Sequence, residues 1–503
     1  MRKNHWLILF FIMMVGAMGQ STLQADSANL QNAIFAYKKG KYEASAAGFY
    51  DAAKDPFLKE YQIRSLLFLA NSLFHLGFRT TSLDILIKIV KIGPNNPYFK
   101  PAVGKALVLS QMLGGSTPLL KALSKIPPEH YPLQYQERLQ FKVASYLMKK
   151  NKLAEAMTIL KSISQGSPFF SRAQFLLGVT EYRARAYKEA INRFKNLIEI
   201  YGFAKDQTLE DQTLLTLARI FYALGKYDFA YQLYTQIPKN SPDWPETLYE
   251  STWALFMSGN YNKALGHLHT LESPYFKAYD FPELHILRGI IYFNLCHFEA
   301  GRNSISQFKT QYDPLKETLE RIREQLGNNK KSAAEFYLAG NFKKLNPKLN
   351  QAFHQDPKFR AALGKYNLLQ EEYDRFKAKS PTFQESTLGQ KMNASYIKKI
   401  NAAAVATGGR ILRILKRQDE AITSFSSQAD LVQFEIINSD EKKIISEKDA
   451  DLESEMTARQ KDAEDKIHRD PRFYYWPFKK EYWVDELGHY ELNVASLCPA
   501  TSK

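Results

Sequence analysis

The side chains able to do chemistry are few in this 503-residue chain, and they do not converge. His267 and His269 are two apart. On a helix that spacing turns them about 200° from each other, so they cannot share a metal. His285 reads as an ordinary helix residue. His489 lies in the aromatic tail and has no evident Cys or Ser partner. Asp485 and Glu486 are adjacent, not opposed across a cleft. Gly408-Gly409 precedes a helical stripe but lacks the strand and the lysine of a phosphate loop, and neither HExxH nor GxSxG occurs. Cys296 and Cys498 are too sparse for a metal site. They read either as two independent thiols or as one disulfide pinning the end of the chain to its body. No catalysis, no cofactor and no metal are expected.

Binding is the better-supported chemistry. Residues 471–503 carry a cluster of aromatics that includes Trp476, Phe478, Tyr482 and Trp483. Burying each contributes roughly 2 kcal/mol, so the cluster is expected to cap the chain's own body or to dock on another protein. The formal net charge is +16. Such a balance suits nucleic acid, anionic lipid or an acidic polymer. No compact Lys/Arg run or nucleic-acid motif is present, so no nucleic-acid partner is expected. A solvated basic surface and contact with peptidoglycan or another anionic polymer both stay open.

The elements that position these residues begin after an export signal. Arg2 and Lys3 precede the apolar run Trp6 to Met18, and a polar stretch follows. Residues 1–25 thus read as a secretory signal peptide, too short for a comfortable membrane span. An exported, periplasmic protein is expected, with an uncleaved inner-membrane anchor as the alternative.

Internal repeats come next. Tyr187, Ala190, Phe194 and Leu197 recur at helical spacing, and Gly178 precedes them. The series Gly225, Tyr227, Ala230, Tyr234 and Ile237 matches Gly259, Tyr261, Ala264, Leu268 and Leu271 after a step of 34 residues. The small residue lets two helices approach closely, and the aromatic before it fills the gap between them. Weaker matches start at Gly40 and Gly77. A degenerate pair covers Pro101 to Ile126, and Gly301 takes the small position in the last unit. These residues resemble the tetratricopeptide repeat, a helix–turn–helix unit of about 34 residues. The resemblance covers roughly residues 28 to 314 and implies an all-α solenoid with a long face for extended peptides or partner helices. Arg172, Arg183, Arg185 and Arg219 are the candidate basic residues on that face.

The pattern changes after Pro314, where one short helix is expected to end near Gly327. Phe359 to Phe376 forms an apolar stripe that Lys379-Ser380-Pro381 breaks. Leu415, Ile422, Phe425, Ala429, Val432 and Ile436 form a second. Two stripes suggest an antiparallel hairpin or coiled-coil self-association with another chain. The expected domains are thus 1–25, 26–314, 315–470 and 471–503, with a short strand or hairpin around Tyr490, Leu492 and Val494. A charged segment followed by YYWPFKKEYWVDELGHY and Cys498 resembles the C-termini of exported tetratricopeptide proteins from the envelopes of gliding and predatory delta-type bacteria. That likeness implies a periplasmic adaptor in a multi-protein envelope complex, motility machinery included. Contact with an anionic wall polymer, or chaperone-like holding of exported proteins, is the alternative.

Overall fold

The computed structural model describes residues 28–201, 206–277, 279–345, 347–451 and 481–498. The expected signal peptide at 1–25 and the side chains of Trp476 and Phe478 lie outside them. Among the described residues every regular element is a helix. In chain order these are α1 (Ala28–Lys38), α2 (Tyr42–Ala52), α3 (Gln62–His75), α4 (Arg79–Ile92), α5 (Phe99–Met112), α6 (Thr117–Leu123), α7 (Gln136–Lys149), α8 (Leu153–Lys161), α9 (Phe170–Arg183), α10 (Tyr187–Asn196), α11 (Gln207–Ala223) and α12 (Tyr227–Tyr234). They continue as α13 (Trp244–Met257), α14 (Tyr261–Leu271), α15 (Glu283–Asn294), α16 (Phe298–Leu326), α17 (Lys330–Leu338), α18 (Asn341–Leu345), α19 (Pro347–Gln355), α20 (Pro357–Lys377), α21 (Pro381–Glu385) and α22 (Thr387–Asp451).

From α1 to α16 the helices form consecutive pairs, and one turn design joins every pair. A single residue at positive φ follows each first helix: Gly40, Gly77, Gly114, Asn151, Arg185, Gly225, Gly259 and Cys296. The next backbone N–H reaches back to close the helix end. Lys226 N, for example, donates to Phe221 O at 2.9 Å, and His297 N donates to Tyr292 O at 2.9 Å. This is the left-handed C-terminal cap that glycine adopts without steric cost. Five residues after each turn stands the close-approach position: Ser45, Ser82, Ala156, Ala190, Ala230 and Ala264 are all buried there. Nine residues after it Phe49, Leu86, Leu123, Leu160, Phe194, Tyr234, Leu268 and Ile305 are buried too. The degenerate third pair breaks the rule with Leu119. Tyr187, Tyr227 and Tyr261 open their helices and lie against Tyr182, Tyr222 and Phe256 across the turn. The paired layout is tetratricopeptide-like.

The chain divides into two compact units. Among the described residues, unit 1 comprises 28–163 and 356–407. Here α20 and the first part of α22 form an antiparallel hairpin that packs on the α3–α4 pair. Phe78 is fully buried among Phe376, Phe383 and Tyr396. The buried Glu372 carboxylate accepts from Thr80 N at 2.9 Å, Thr80 Oγ1 at 2.5 Å and the Tyr396 hydroxyl at 3.0 Å. Burial pushes its pKa up, and those three hydrogen bonds oppose the shift.

Unit 2 comprises the described residues within 164–355, 408–451 and 481–498. Two expectations change here. First, α16 runs straight through Pro314 to Leu326. Proline removes one helix hydrogen bond and costs about 3 kcal/mol. The apolar face Phe308, Tyr312, Leu315, Leu319 and Ile322 is buried on both sides of it and offsets that cost. Second, the later apolar stripe has its partner within unit 2. The stripe with Leu415, Ile422, Ala429 and Ile436 is buried against α16 and α17: Ile436 meets Gly301, and Gly408 lies against the Lys330 carbonyl. Arg302–Asp440, Lys309–Asp430 and Arg323–Asp419 ion pairs run along the same antiparallel seam. The small residues that read as a repeat signature and as a failed phosphate loop are close-approach points for this helix.

Candidate functional site

Residues 481–498 lie on α13, α14 and α15 of unit 2, and this occupied face is the candidate site. The expected strand does not form; no ladder partner exists among the described residues, so the backbone donors turn to helix groups instead. Gly488 N donates to Thr270 Oγ1 at 3.1 Å. Leu492 N donates to the Asn262 carbonyl at 3.1 Å and Val494 N to the Asn262 side-chain oxygen at 3.2 Å. Leu497 N donates to Leu295 O at 2.9 Å. In the other direction, Lys239 Nζ donates to Asp485 O at 2.5 Å and the His297 ring Nε2 to Ala495 O at 2.7 Å.

The local sequence explains why the segment can lie so close. A side chain at Gly266 would put its Cβ 1.6 Å from the Tyr490 carbonyl oxygen. Gly488 is at φ +83°, with Trp244 and Leu248 beside it, and its neighbour Leu487 is buried in the core of α13–α15. Tyr482 stacks on His269 at 4.9 Å between ring centroids, and Tyr490 meets the same ring edge-on at 5.3 Å. Tyr490, Leu492 and Val494 complete the apolar contact. At its far end Cys498 is joined to Cys296 by a disulfide, Cα to Cα 5.1 Å. Of the two readings left open by the sequence, the structure has the bonded one.

Burial sets the electrostatics. His267 sits beneath the segment, hydrogen-bonded to Ser251 at 3.0 Å, and burial pushes its pKa down to about 4. Burial also lowers His269 and raises Tyr482. Among the described residues no three His, Cys, Asp or Glu side chains gather to hold a metal ion, and no helix is long and apolar enough to cross a membrane.

The residues singled out in the sequence are dispersed. Tyr482 is in the docked segment and half-buried, while Trp483 is 53% exposed. Arg219 is engaged within the chain. Its guanidinium meets Glu250 at 2.6 Å and Glu246 at 2.7 Å, and Tyr234 donates to Glu250 at 2.9 Å. Burial works against the Arg219 charge, but the Glu250 bonds outweigh it and hold its pKa up. Arg172 pairs with Asp206 at 2.6 Å. Arg183 and Arg185 are exposed, and Arg185 is itself the left-handed turn residue after α9. Gly178 lies under the Phe194 ring, where a Cβ would come within 2.7 Å. Gly225 and Gly259 hold the turns, and Ala190, Ala230 and Ala264 the buried close-approach positions. Sequence reasoning missed Asn262, Gly266, Thr270 and Lys239, and weighed His269 only as a metal ligand. The one available signal was Gly266, a helix-interior glycine that costs about 1 kcal/mol unless something needs the space.

Comparison with known proteins gives structural likeness only. No protein-family model and no curated protein matches the chain. Solved structures similar to it include a tetratricopeptide repeat protein from Parabacteroides merdae, at 15% identity over 49% of this chain and 92% of that one, TM-score 0.32. Another is the apo form of RapI, at 14% identity over 75% of this chain and 96% of that one, TM-score 0.36. A third is NprR in complex with its cognate peptide NprX, at 17% identity over 68% of this chain and 90% of that one, TM-score 0.25.

Proposed function

We propose that the chain is an exported, non-catalytic scaffold that binds other proteins through its helical repeats within a cell-envelope assembly, with motility machinery as the finer expectation. One observation carries this reading. The face of α13–α15 already holds a peptide, the chain's own residues 481–498, a turn at 484–489 followed by an irregular run without helix, by backbone hydrogen bonds to helix side chains and by aromatic burial. That is the physics by which a repeat face holds a partner's peptide. The Cys296–Cys498 disulfide supports export, because such bonds persist in oxidising compartments. The test is crosslinking of the mature protein in its own envelope, with crosslinked peptides identified by mass spectrometry. A reproducible set of envelope proteins joined to the repeat helices is the expected result. Crosslinks only within the chain, with wall polymer co-purifying, would replace this reading by polymer binding.

A further inference from the structure

The segment over α13–α15 is held mainly by one covalent bond. Of residues 481–498 only Leu487 is buried, and Trp483, Val484 and Leu497 stay exposed. A few hydrogen bonds to helix side chains and carbonyls add to that single anchor. So little burial does not offset the conformational entropy lost in ordering a run this long. The Cys296–Cys498 bond supplies the difference and keeps the face covered.

That bond is within reach of other thiols. Both cysteines are half-buried, outside the core, and exchange of a disulfide depends on access to its sulfurs. The two sulfurs are not alike. Cys296 is fixed in the turn between α15 and α16, its N–H on the Phe293 carbonyl at 3.0 Å. It sits at φ +59°, in the place that glycine takes in five of the eight repeat turns. A side chain is unfavourable in that backbone conformation, so the sulfur stands there against local preference. Cys498 ends an irregular run. A thiolate that attacks the Cys296 sulfur therefore gains a fixed partner and frees the sulfur on the looser segment.

The docked residues also show what sequence the uncovered face takes. Leu487 enters the core of α13–α15. Gly488 turns at φ +83° beside Trp244, and Gly266 leaves room only for the backbone at Tyr490. The Tyr490 ring meets His269, and Asn262 takes the N–H groups of Leu492 and Val494. The pattern is Leu-Gly, an aromatic two residues after the glycine, and a cysteine ten residues after it.

We propose that the α13–α15 face of unit 2 is a thiol-gated site for a cysteine-bearing peptide of another protein, built on this Leu-Gly-x-aromatic pattern, which displaces residues 481–498 and becomes joined to Cys296. In the exchange the peptide thiol gives its proton to solvent and its sulfur attacks Cys296 Sγ. A new S–S bond forms as the Cys296–Cys498 bond breaks, and Cys498 leaves as a thiolate that takes up a proton. One disulfide replaces another, so neither oxidant nor reductant is consumed. The inference rests on the chain being a protein-binding scaffold and adds how one partner is selected and held.

The probe is a fluorescein-labelled synthetic peptide with the sequence of residues 481–498, EYWVDELGHYELNVASLC. It is offered to the oxidised full-length protein at about 1 mM, on the order of the effective concentration of a tethered segment. Mixed disulfides are followed on non-reducing gels and mapped by mass spectrometry. A scrambled peptide that keeps the terminal cysteine measures unspecific exchange. The probe should label Cys296 about tenfold faster than the scramble, because docking concentrates its thiol at the bond. Leu487→Asp or Gly488→Val in the probe should remove that advantage with the protein unaltered, and Gly266→Ala in the protein should do the same. Equal labelling by probe and scramble, no labelling, or labelling confined to Cys498 would overturn the site. Envelope crosslinks obtained alongside such a failure would leave the scaffold reading standing.

Discussion

The Cα of Gly266 faces the carbonyl oxygen of Tyr490 so closely that the two cannot coexist with any side chain at position 266. Gly266→Ala should therefore lift residues 488–494 off α14 while improving the helix's own propensity. Hydrogen exchange read by mass spectrometry should show faster exchange in 488–494 and unchanged protection in α14. Unaltered exchange in the segment would mean that it does not lie where the structure has it.

The disulfide should be the main anchor of that segment. Breaking a bond that closes a long loop typically costs about 2–4 kcal/mol. Cys498→Ser should lower the denaturation midpoint of unit 2, and wild-type protein under reductant should fall to the same value. A Ser variant as resistant as the oxidised protein would show the thiols to be apart.

His267 gives the pH dependence a sign. Its folded pKa is about 4 against an ordinary 6.5. The unfolded chain takes up a proton first as pH falls, so the stability His267 contributes is intact above pH 6.5 and is lost progressively toward pH 4. The loss is on the order of 3 kcal/mol. His267→Gln should flatten the stability curve across that window, as followed by chemical denaturation at stepped pH. A parallel curve would place the titration elsewhere.

In unit 1 Glu372 ties α20 to the start of α4. Glu372→Ala leaves the Thr80 donors and the Tyr396 hydroxyl without their acceptor, at a cost of about 1–3 kcal/mol. Proteolysis of the α20–α22 hairpin should accelerate, with the rate measured by cleavage near Lys379. An unchanged rate would deny the carboxylate its anchoring role.

Ala190 is fully buried at a close-approach position. Ala190→Leu adds three carbons where α9 and α10 meet, and overpacking of this kind costs about 1–3 kcal/mol. Thermal melting should register the loss. Wild-type melting would show the repeat register to be shifted.

Much of the repeat array was legible because it is written locally. A left-handed turn residue, an aromatic two positions later and a small residue five positions later are all decided by neighbours within one helix pair. Gly225, Tyr227 and Ala230 can be read without knowing anything distant. The break at Ser380-Pro381 was legible for the same reason: Ser380 caps α21 and Pro381 opens it. What could not be read depends on residues far away in the chain. Pro314 looked like an end because local cost alone argues for one, and only burial on both sides keeps the helix going. The Ile436 stripe fits a coiled coil with any apolar partner, and nothing near it says that the partner is Gly301. Tyr490, Leu492 and Val494 alternate as a strand does, yet the Leu492 and Val494 N–H groups donate to Asn262, about 230 residues upstream, where pattern gives no warning. Arg219 looked available because its two glutamates are a repeat away.

Cys296 and Cys498 are separated by 202 residues. At about 5–20 residues per second, a ribosome needs roughly 10–40 s to travel from one to the other. Throughout that interval Asn262, Gly266 and Leu295 are made but uncovered by the segment, and the cysteine at the α15–α16 turn lacks its Cys498 partner. The face of α13–α15 is thus bare in every nascent chain before its own peptide closes it. Birth, more than any later event, is when this protein is most open to an alternative guest.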